Sequence, residues 1–160
     1  MFVAGGGNDK IVGGSGFDTI DFSTATQGVK VDLHNHTASG FGTDHVEGVE
    51  AVVGSSHDDV IWGDKNANVL TGNGGNDTFG FHSGDAKNGN ADHITDFKQG
   101  DILDLHEILK GNLGNFQVTD GADGTTISAK IGGQFVNVVI LDGVHSETAA
   151  DMLKAGMILA

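Results

Sequence analysis

Three nine-residue units follow one another without a break in the middle of the chain, and they restrict its possible folds more than any other feature. They read GSSHDDVIW (54–62), GDKNANVLT (63–71) and GNGGNDTFG (72–80). Each unit has a glycine-rich turn, an acidic or amide residue, one spacer and one large apolar residue. A second pair, AGGGNDKIV (4–12) and GGSGFDTID (13–21), repeats this order. A repeat this short predicts stacked coils.

The tripeptide that ends each unit is long enough for only a very short strand. Side chains alternate between the two faces of a strand, so the central apolar residue points inward. The stacked inward residues are Ile11, Ile20, Ile61, Leu70 and Phe79. We therefore predict an all-β chain whose coils bury a column of apolar side chains.

The glycine-rich turns point to a metal ion with oxygen ligands. Glycine adopts positive φ without a Cβ clash, and it leaves the backbone carbonyls bare. Together with a nearby carboxylate, these carbonyls form the oxygen shell of about six to eight ligands that Ca²⁺ prefers. The pattern therefore predicts calcium sites at the turns.

The repeats resemble those of the RTX family, the calcium-binding repeat domains of bacterial proteins exported by type I secretion. Unit 13–21 matches the full RTX pattern G-G-x-G-x-D-x-U-x, in which U is a large apolar residue. The resemblance implies a right-handed parallel β-roll (a β-solenoid), in which residues eighteen apart stack and share an ion. Asp59 and Asp77 are eighteen apart. On this pattern they clamp one Ca²⁺, with the turn carbonyls of Ser55, His57, Asn73 and Gly75.

Other acidic positions match the pattern less completely. Asp9 and Asp18 would bind with the turn carbonyls of Gly5, Gly7, Gly14 and Gly16, but the positions eighteen residues further on are Gln27 and His36. These sites are therefore incomplete unless the following segment shifts the register. On the opposite side, Glu50 and Asn68 form a matching pair in which Asn68 brings no charge.

The segment from about 22 to 50 is predicted to be an insertion with strands of its own, because 28–33 alternates cleanly and 39–46 is a degenerate repeat. Asp44 in that repeat is a further candidate ligand. Another degenerate repeat, at 88–94, contains Asp92 and runs into DHITDFKQGDILDL (92–105), which also contains Asp96. This run resembles the segment D-x-I-x-D-F…G-D-x-I-D-L that closes many RTX domains. Asp92 and Asp96 complete the candidate ligands.

We divide the chain into a calcium-binding roll (1–97) and a C-terminal region (98–160). The latter is predicted to hold strands at 116–119, 125–131 and 134–141, with a hairpin turn at Gly132-Gly133. A short helix is expected from Ser146 as N-cap to Gly156. This β-rich region would cap the open end of the roll. Segments 141–144 and 156–159 resemble the target region of type I secreted proteins, particularly large RTX adhesins.

Composition gives the calcium a thermodynamic role. The net charge is −14 and glycine accounts for 27 of 160 residues, so facing carboxylates repel and ordering the backbone is costly. The chain contains no cysteine, so disulfide bonds cannot stabilise the fold. At millimolar calcium each weak extracellular site contributes roughly 1 kcal/mol. We therefore expect a monomer that binds several Ca²⁺ ions and folds outside a Gram-negative cell, secreted or at its surface.

Several functions are excluded by what the sequence lacks. It contains no H-E-x-x-H zinc motif, no G-x-S-x-G elbow and no G-K-[ST] phosphate loop. Its charge disfavours nucleic acid, and no run of eighteen apolar residues predicts a membrane span. There is also no N-terminal apolar region of a Sec signal. We predict no catalytic residue and no enzyme activity.

Three interpretations remain open. The first is a calcium-dependent folding, export and capping module at the C-terminus of a larger secreted protein, with an adhesin as the favoured parent. The second is a polysaccharide-binding R-module like those of alginate epimerases, although only 8 of the 160 residues are Lys or Arg. The third is the non-catalytic C-terminal domain of a secreted protease or lipase.

Overall fold

The structure is a computed structural model, which describes residues 1–85, 90–145 and 148–160. It is mostly β, with two mixed sheets, as the all-β prediction required. Its strands are β1 (Phe2–Val3), β2 (Lys10–Val12), β3 (Thr19–Asp21), β4 (Lys30–Asp32), β5 (Thr37–Ser39), β6 (Thr43–Glu47), β7 (Ala51–Val53), β8 (Val60–Trp62), β9 (Val69–Thr71), β10 (Thr78–Gly80), β11 (Asp92–Ile94), β12 (Ile102–Asp104), β13 (Phe116–Asp120), β14 (Gly124–Ile131), β15 (Gln134–Asp142) and β16 (Ile158–Leu159). The α-helices of the described residues are α1 (His106–Leu109) and α2 (Ala149–Lys154).

The chain alternates between the two sheets from β7 to β12, and the neighbouring strands within each sheet are parallel there. The first sheet has the order β1-β3-β7-β9-β11-β15-β14-β13. The second has the order β16-β12-β10-β8-β4-β5-β6-β2. We call one strand from each sheet, with the turns between them, a coil.

The inward residues form two columns rather than the single column predicted. In the first sheet the column runs through Ile20, Val52, Leu70 and Ile94. In the second it runs through Val31, Ile61, Phe79 and Leu103. All eight side chains are fully buried. Because consecutive units belong to opposite sheets, their apolar residues face each other across the core.

The segment 22–50 contains strands of its own, as predicted, and it changes the register of the N-terminal coils. β4 pairs in parallel with β8, and β5 then pairs antiparallel with both β4 and β6. β6 lies parallel to β2, which places Lys10 beside His45. Thr19 in β3 lies beside Ala51 in β7. The eighteen-residue spacing is therefore wrong for Asp9 and Asp18.

The residues expected to stack on Asp9 and Asp18 lie elsewhere. Gln27 donates its side-chain N–H to the carbonyl of Gly40, and His36 lies in the turn between β4 and β5 with a φ of 59°. The β4–β5–β6 excursion takes up the extra residues, and the chain resumes its stacking only after it.

The C-terminal region pairs with the last coil in both sheets. β13, β14 and β15 form an antiparallel meander, and β15 continues the first sheet beside β11. β16 continues the second sheet beside β12. Helix α2 begins after Thr148, whose hydroxyl accepts the N–H of Asp151; the predicted N-cap Ser146 lies outside the described residues. Among the described residues, no helix has the length and hydropathy of a bilayer span.

The altered register can be tested at Gly13. A Cβ at Gly13 would lie 1.8 Å from the carbonyl oxygen of Gly48, which belongs to the coil stacked on it. We expect Gly13→Ala to reduce the free energy of unfolding by roughly 1 to 3 kcal/mol, measured by denaturant titration. Gly5→Ala is the matched control, because a Cβ there would meet nothing within 4 Å. Equal stability of the two variants would contradict the register.

Candidate metal sites

One hydrogen bond recurs at the turns of successive coils. The residue two positions before the inward apolar residue, acidic in most coils, donates its backbone N–H to the side-chain carboxylate at the same position of the coil stacked on it. We call this series the carboxylate ladder. Its donor–acceptor pairs are Asp9–Asp44 (2.9 Å), Asp18–Glu50 (2.8 Å), Val29–Asp59 (2.8 Å), Asp59–Asp77 (3.0 Å), Asn68–Asp92 (2.8 Å) and Asp77–Asp101 (2.9 Å).

The two turns of the predicted central site lie directly on each other. Asp59 and Asp77 are 1% and 0% exposed. The side-chain N–H of Asn73 donates to the carbonyl of Gly54 at 2.8 Å, and the N–H of Gly74 donates to that of Ser55 at 3.4 Å. The structure thus brings the two acids together with all four predicted carbonyl residues, Ser55, His57, Asn73 and Gly75.

Glycine is required at this site because backbone and carboxylate approach it closely. A Cβ at Gly72 would lie 2.3 Å from a carboxylate oxygen of Asp77. Gly75 has a φ of 103°, and its Cβ would lie 2.7 Å from the carbonyl oxygen of His57. The short spacing between the turns holds carbonyl and carboxylate oxygens near one another.

The N-terminal acids find carboxylate partners that the eighteen-residue rule did not identify. Asp9 stacks on the buried Asp44, and Gly7 forms a parallel bridge with Gly42 beside them. The predicted carbonyl residues Gly5 and Gly7 belong to that turn.

Asp18 stacks on Glu50 in the same way. Gly14, whose carbonyl was predicted as a ligand, lies next to Gly48 of the adjoining coil, and Gly16 lies in the same turn with a φ of 117°. Two further pairs of acids therefore face each other, Asp9 with Asp44 and Asp18 with Glu50.

Asp92 and Asp96 occupy different environments. Asp92 is buried in the ladder on Asn68, whose side-chain nitrogen is buried without a hydrogen-bond partner among the described residues. Asp96 lies outside the ladder and accepts the backbone N–H groups of Gly72 (2.9 Å) and Asn73 (2.6 Å). Asp96 therefore borders the turn of Asp77 without stacking on an acid.

Sequence reasoning missed Asp101 and Lys98. Asp101 is 1% exposed and is the last acid of the ladder. Its position two residues before the inward Leu103 would have identified it. The Lys98 ammonium lies 3.4 Å from a carboxylate oxygen of each of Asp77 and Asp101. No sequence signal marked this lysine.

Burial makes two of the ladder carboxylates, those of Asp77 and Asp92, costly to ionise. It raises the pKa of Asp77 to about 6, and the negative charges of Asp101 and Asp59 act in the same direction. Burial also raises the pKa of Asp92 to about 8, together with the charges of Asp64 and Asp85. A bound cation would offset this cost.

The residues present fit a calcium ion. Their donor set consists of carboxylate and carbonyl oxygens, and the buried carboxylates lack sufficient positive charge. Within the described ranges, no three acidic or histidine side chains converge on one point. Backbone carbonyls must therefore supply much of any coordination shell.

The chain matches the model of a known protein family. A family model described as "Peptidase M10 serralysin C terminal" matches residues 8–132. No curated protein sequence matches the chain. The matched range includes every acid of the carboxylate ladder.

The raised pKa values predict how the calcium-free chain responds to pH. Carboxyl groups that are harder to ionise when folded bind more protons in the folded than in the unfolded state, whose values lie near 3.8. In calcium-free buffer the folded population should therefore fall as the pH rises from about 4 to about 8. Circular dichroism measures this folded population. Asp92→Asn should weaken its dependence on pH between about pH 6 and 8. A β signal that grows with pH in the unmodified chain would contradict the prediction.

Proposed function

Because the match covers well over half of the chain, the chain belongs to the serralysin C-terminal family of RTX-type calcium-binding β-roll domains, and we propose that it folds on calcium outside the cell. The family's domains are parts of secreted proteins. We further propose which residues bind the ions, how calcium controls folding and how the chain takes part in export.

The carboxylate ladder is the observation that carries the proposal. In the central site two acids stack with almost no exposure, and the only cation beside them, the Lys98 ammonium next to Asp77, is shared with a third buried acid, Asp101, among the described residues. A divalent cation supplies the missing positive charge, and carbonyls of the glycine turns complete its oxygen shell. We assign Asp59 and Asp77 to this site, with the carbonyls of Ser55, His57, Asn73 and Gly75.

Further ions are assigned to the other stacked acids. Asp9 with Asp44 and the carbonyls of Gly5 and Gly7 would form one site, and Asp18 with Glu50 and the carbonyls of Gly14 and Gly16 another. Asp92 brings a single carboxylate beside Asn68, and Asp96 brings one beside Asn73, so we place both in supporting positions.

Calcium concentration would then decide whether the chain folds. Sites with dissociation constants of about 10⁻⁴ to 10⁻³ M contribute roughly 1 kcal/mol each at millimolar calcium and almost nothing at cytosolic levels. Several such contributions are significant against a total stability of about 5 to 15 kcal/mol. The chain would stay unfolded inside the cell, suited to passage through an export channel, and fold after leaving it.

We assign residues 1–97 to a right-handed roll and 98–160 to its cap and to recognition by a type I secretion system. The pairing of β15 with β11 and of β16 with β12 supports the cap, because both strands of the last coil are covered. We propose that the module is a non-catalytic monomer on a secreted protein of a Gram-negative bacterium.

The family description favours a secreted peptidase as the parent protein over the adhesin that the C-terminal resemblance suggested. The two parents differ in what the complete coding sequence contains. An H-E-x-x-H zinc motif outside this chain would support the peptidase. Repeated adhesive domains there would support the adhesin.

Calcium-dependent folding can be tested at Asp59. Circular dichroism should show mostly unfolded chain at pH 7.5 in chelator and a growing β signal as calcium is added. Asp59→Asn keeps the size of the side chain but replaces one acceptor oxygen with an NH₂ donor and removes the charge, so the calcium midpoint should rise roughly tenfold. The matched control is Asp123→Asn at an exposed position, which should leave the midpoint unchanged. A spectrum indifferent to calcium would rule out the proposal.

A further inference from the structure

The junction between the turn 72–77 and the segment 96–101 already holds a cation of the chain itself. The Lys98 ammonium donates to the carbonyl of Asn73 at 3.1 Å. It also lies 3.4 Å from carboxylate oxygens of Asp77 and Asp101. In the part of the chain that the structure describes, no other lysine forms an ion pair.

The three oxygens around Lys98 correspond to those of the proposed calcium site one coil earlier. Asp77 and Asp101 are consecutive acids of the ladder, as Asp59 and Asp77 are. The carbonyl of Asn73 occupies the same turn position as that of Ser55 in the preceding turn. The ammonium therefore lies where an ion between these two coils would bind.

The backbone of Lys98 is fixed to the same pair of coils. Its N–H donates to a carboxylate oxygen of Asp101 at 2.9 Å, and its carbonyl accepts the N–H of Asp101 at 3.1 Å. In the stacked turns, the residues three positions before the acid are Gly74 and Ser56, whose side chains do not carry a charge. Only the last junction of this series has a tethered positive charge.

We propose that Lys98 takes the place of calcium at the junction of Asp77 and Asp101. This inference rests on the proposed calcium function of the other sites. An ammonium contacts oxygen at about 3 Å, whereas calcium binds it at about 2.3 to 2.6 Å. Both cations would occupy the space among the same three oxygens, so this junction cannot hold both at once. Because Lys98 is covalently attached, this junction needs no calcium ion of its own when the coils stack.

The number of bound ions tests the proposal. Isothermal titration with CaCl₂ should give one more calcium per chain for Lys98→Met than for the unmodified protein, because the variant leaves two buried carboxylates without their cation. Lys65→Met, at an exposed lysine in another turn, is the matched control and should leave the number unchanged.

The possible results separate this inference from the proposed function. Equal calcium numbers for Lys98→Met and the unmodified chain would overturn the role of Lys98 and leave the calcium function intact. No calcium bound by either protein would overturn both. An extra ion in the variant alone would support Lys98 while refuting calcium binding by the unmodified sites.

A second measurement needs no variant and decides the question if Lys98→Met fails to fold. Amine acylation of the unmodified protein in saturating calcium, followed by peptide mass spectrometry, compares Lys98 with Lys65. We expect Lys98 to react at least several-fold more slowly because its ammonium stays bound between the carboxylates. Equal reactivity would mean that calcium displaces the ammonium, and the proposal would be wrong.

Discussion

The rest of the structure depends on a backbone N–H that donates to a carboxylate of the coil stacked on it. This bond requires a carboxylate on the accepting coil, two residues before its inward side chain, and in the central site the stacked turns lie so close that a Cβ at Gly75 would clash with the backbone of His57. It also accumulates buried negative charge on both sides of the stack, which is reflected in the raised pKa values of Asp77 and Asp92. The glycine at position 75 and the need for a cation both follow from the close stacking of these turns.

The stacking of Asp59 on Asp77 could be predicted because its determinants are local. Units 54–62, 63–71 and 72–80 are contiguous, so spacing alone relates Asp59 to Asp77, and the structure has that pairing. The strands of the C-terminal meander were also predicted, because each alternating run and the Gly132-Gly133 turn are visible over a few residues. The strand that the meander joins could not be predicted, because β15 and β11 are far apart in the sequence.

The partners of Asp9 and Asp18 could not be obtained from spacing, because they depend on how the β4–β5–β6 excursion folds. The chain returns to the stack 35 residues after Asp9 and 32 residues after Asp18, two different offsets that no single repeat length produces. Lys98 is a comparable case. Its contacts depend on two acids that only the stacking brings together. From the sequence alone, a lysine in a polar turn is expected to be exposed to solvent.

All the ladder hydrogen bonds run in the same direction along the chain, from the N–H of an earlier coil to the carboxylate of a later one. The stack therefore has polarity, with two unlike ends. At one end the last strands are paired with β15 and β16, and their acids offer acceptors to the coil before them. Asp9 and Asp18 lie at the other end, in coils whose own N–H groups are already bound. A coil joined to the C-terminal end must therefore supply carboxylate acceptors, whereas a coil joined to the N-terminal end must supply backbone N–H donors.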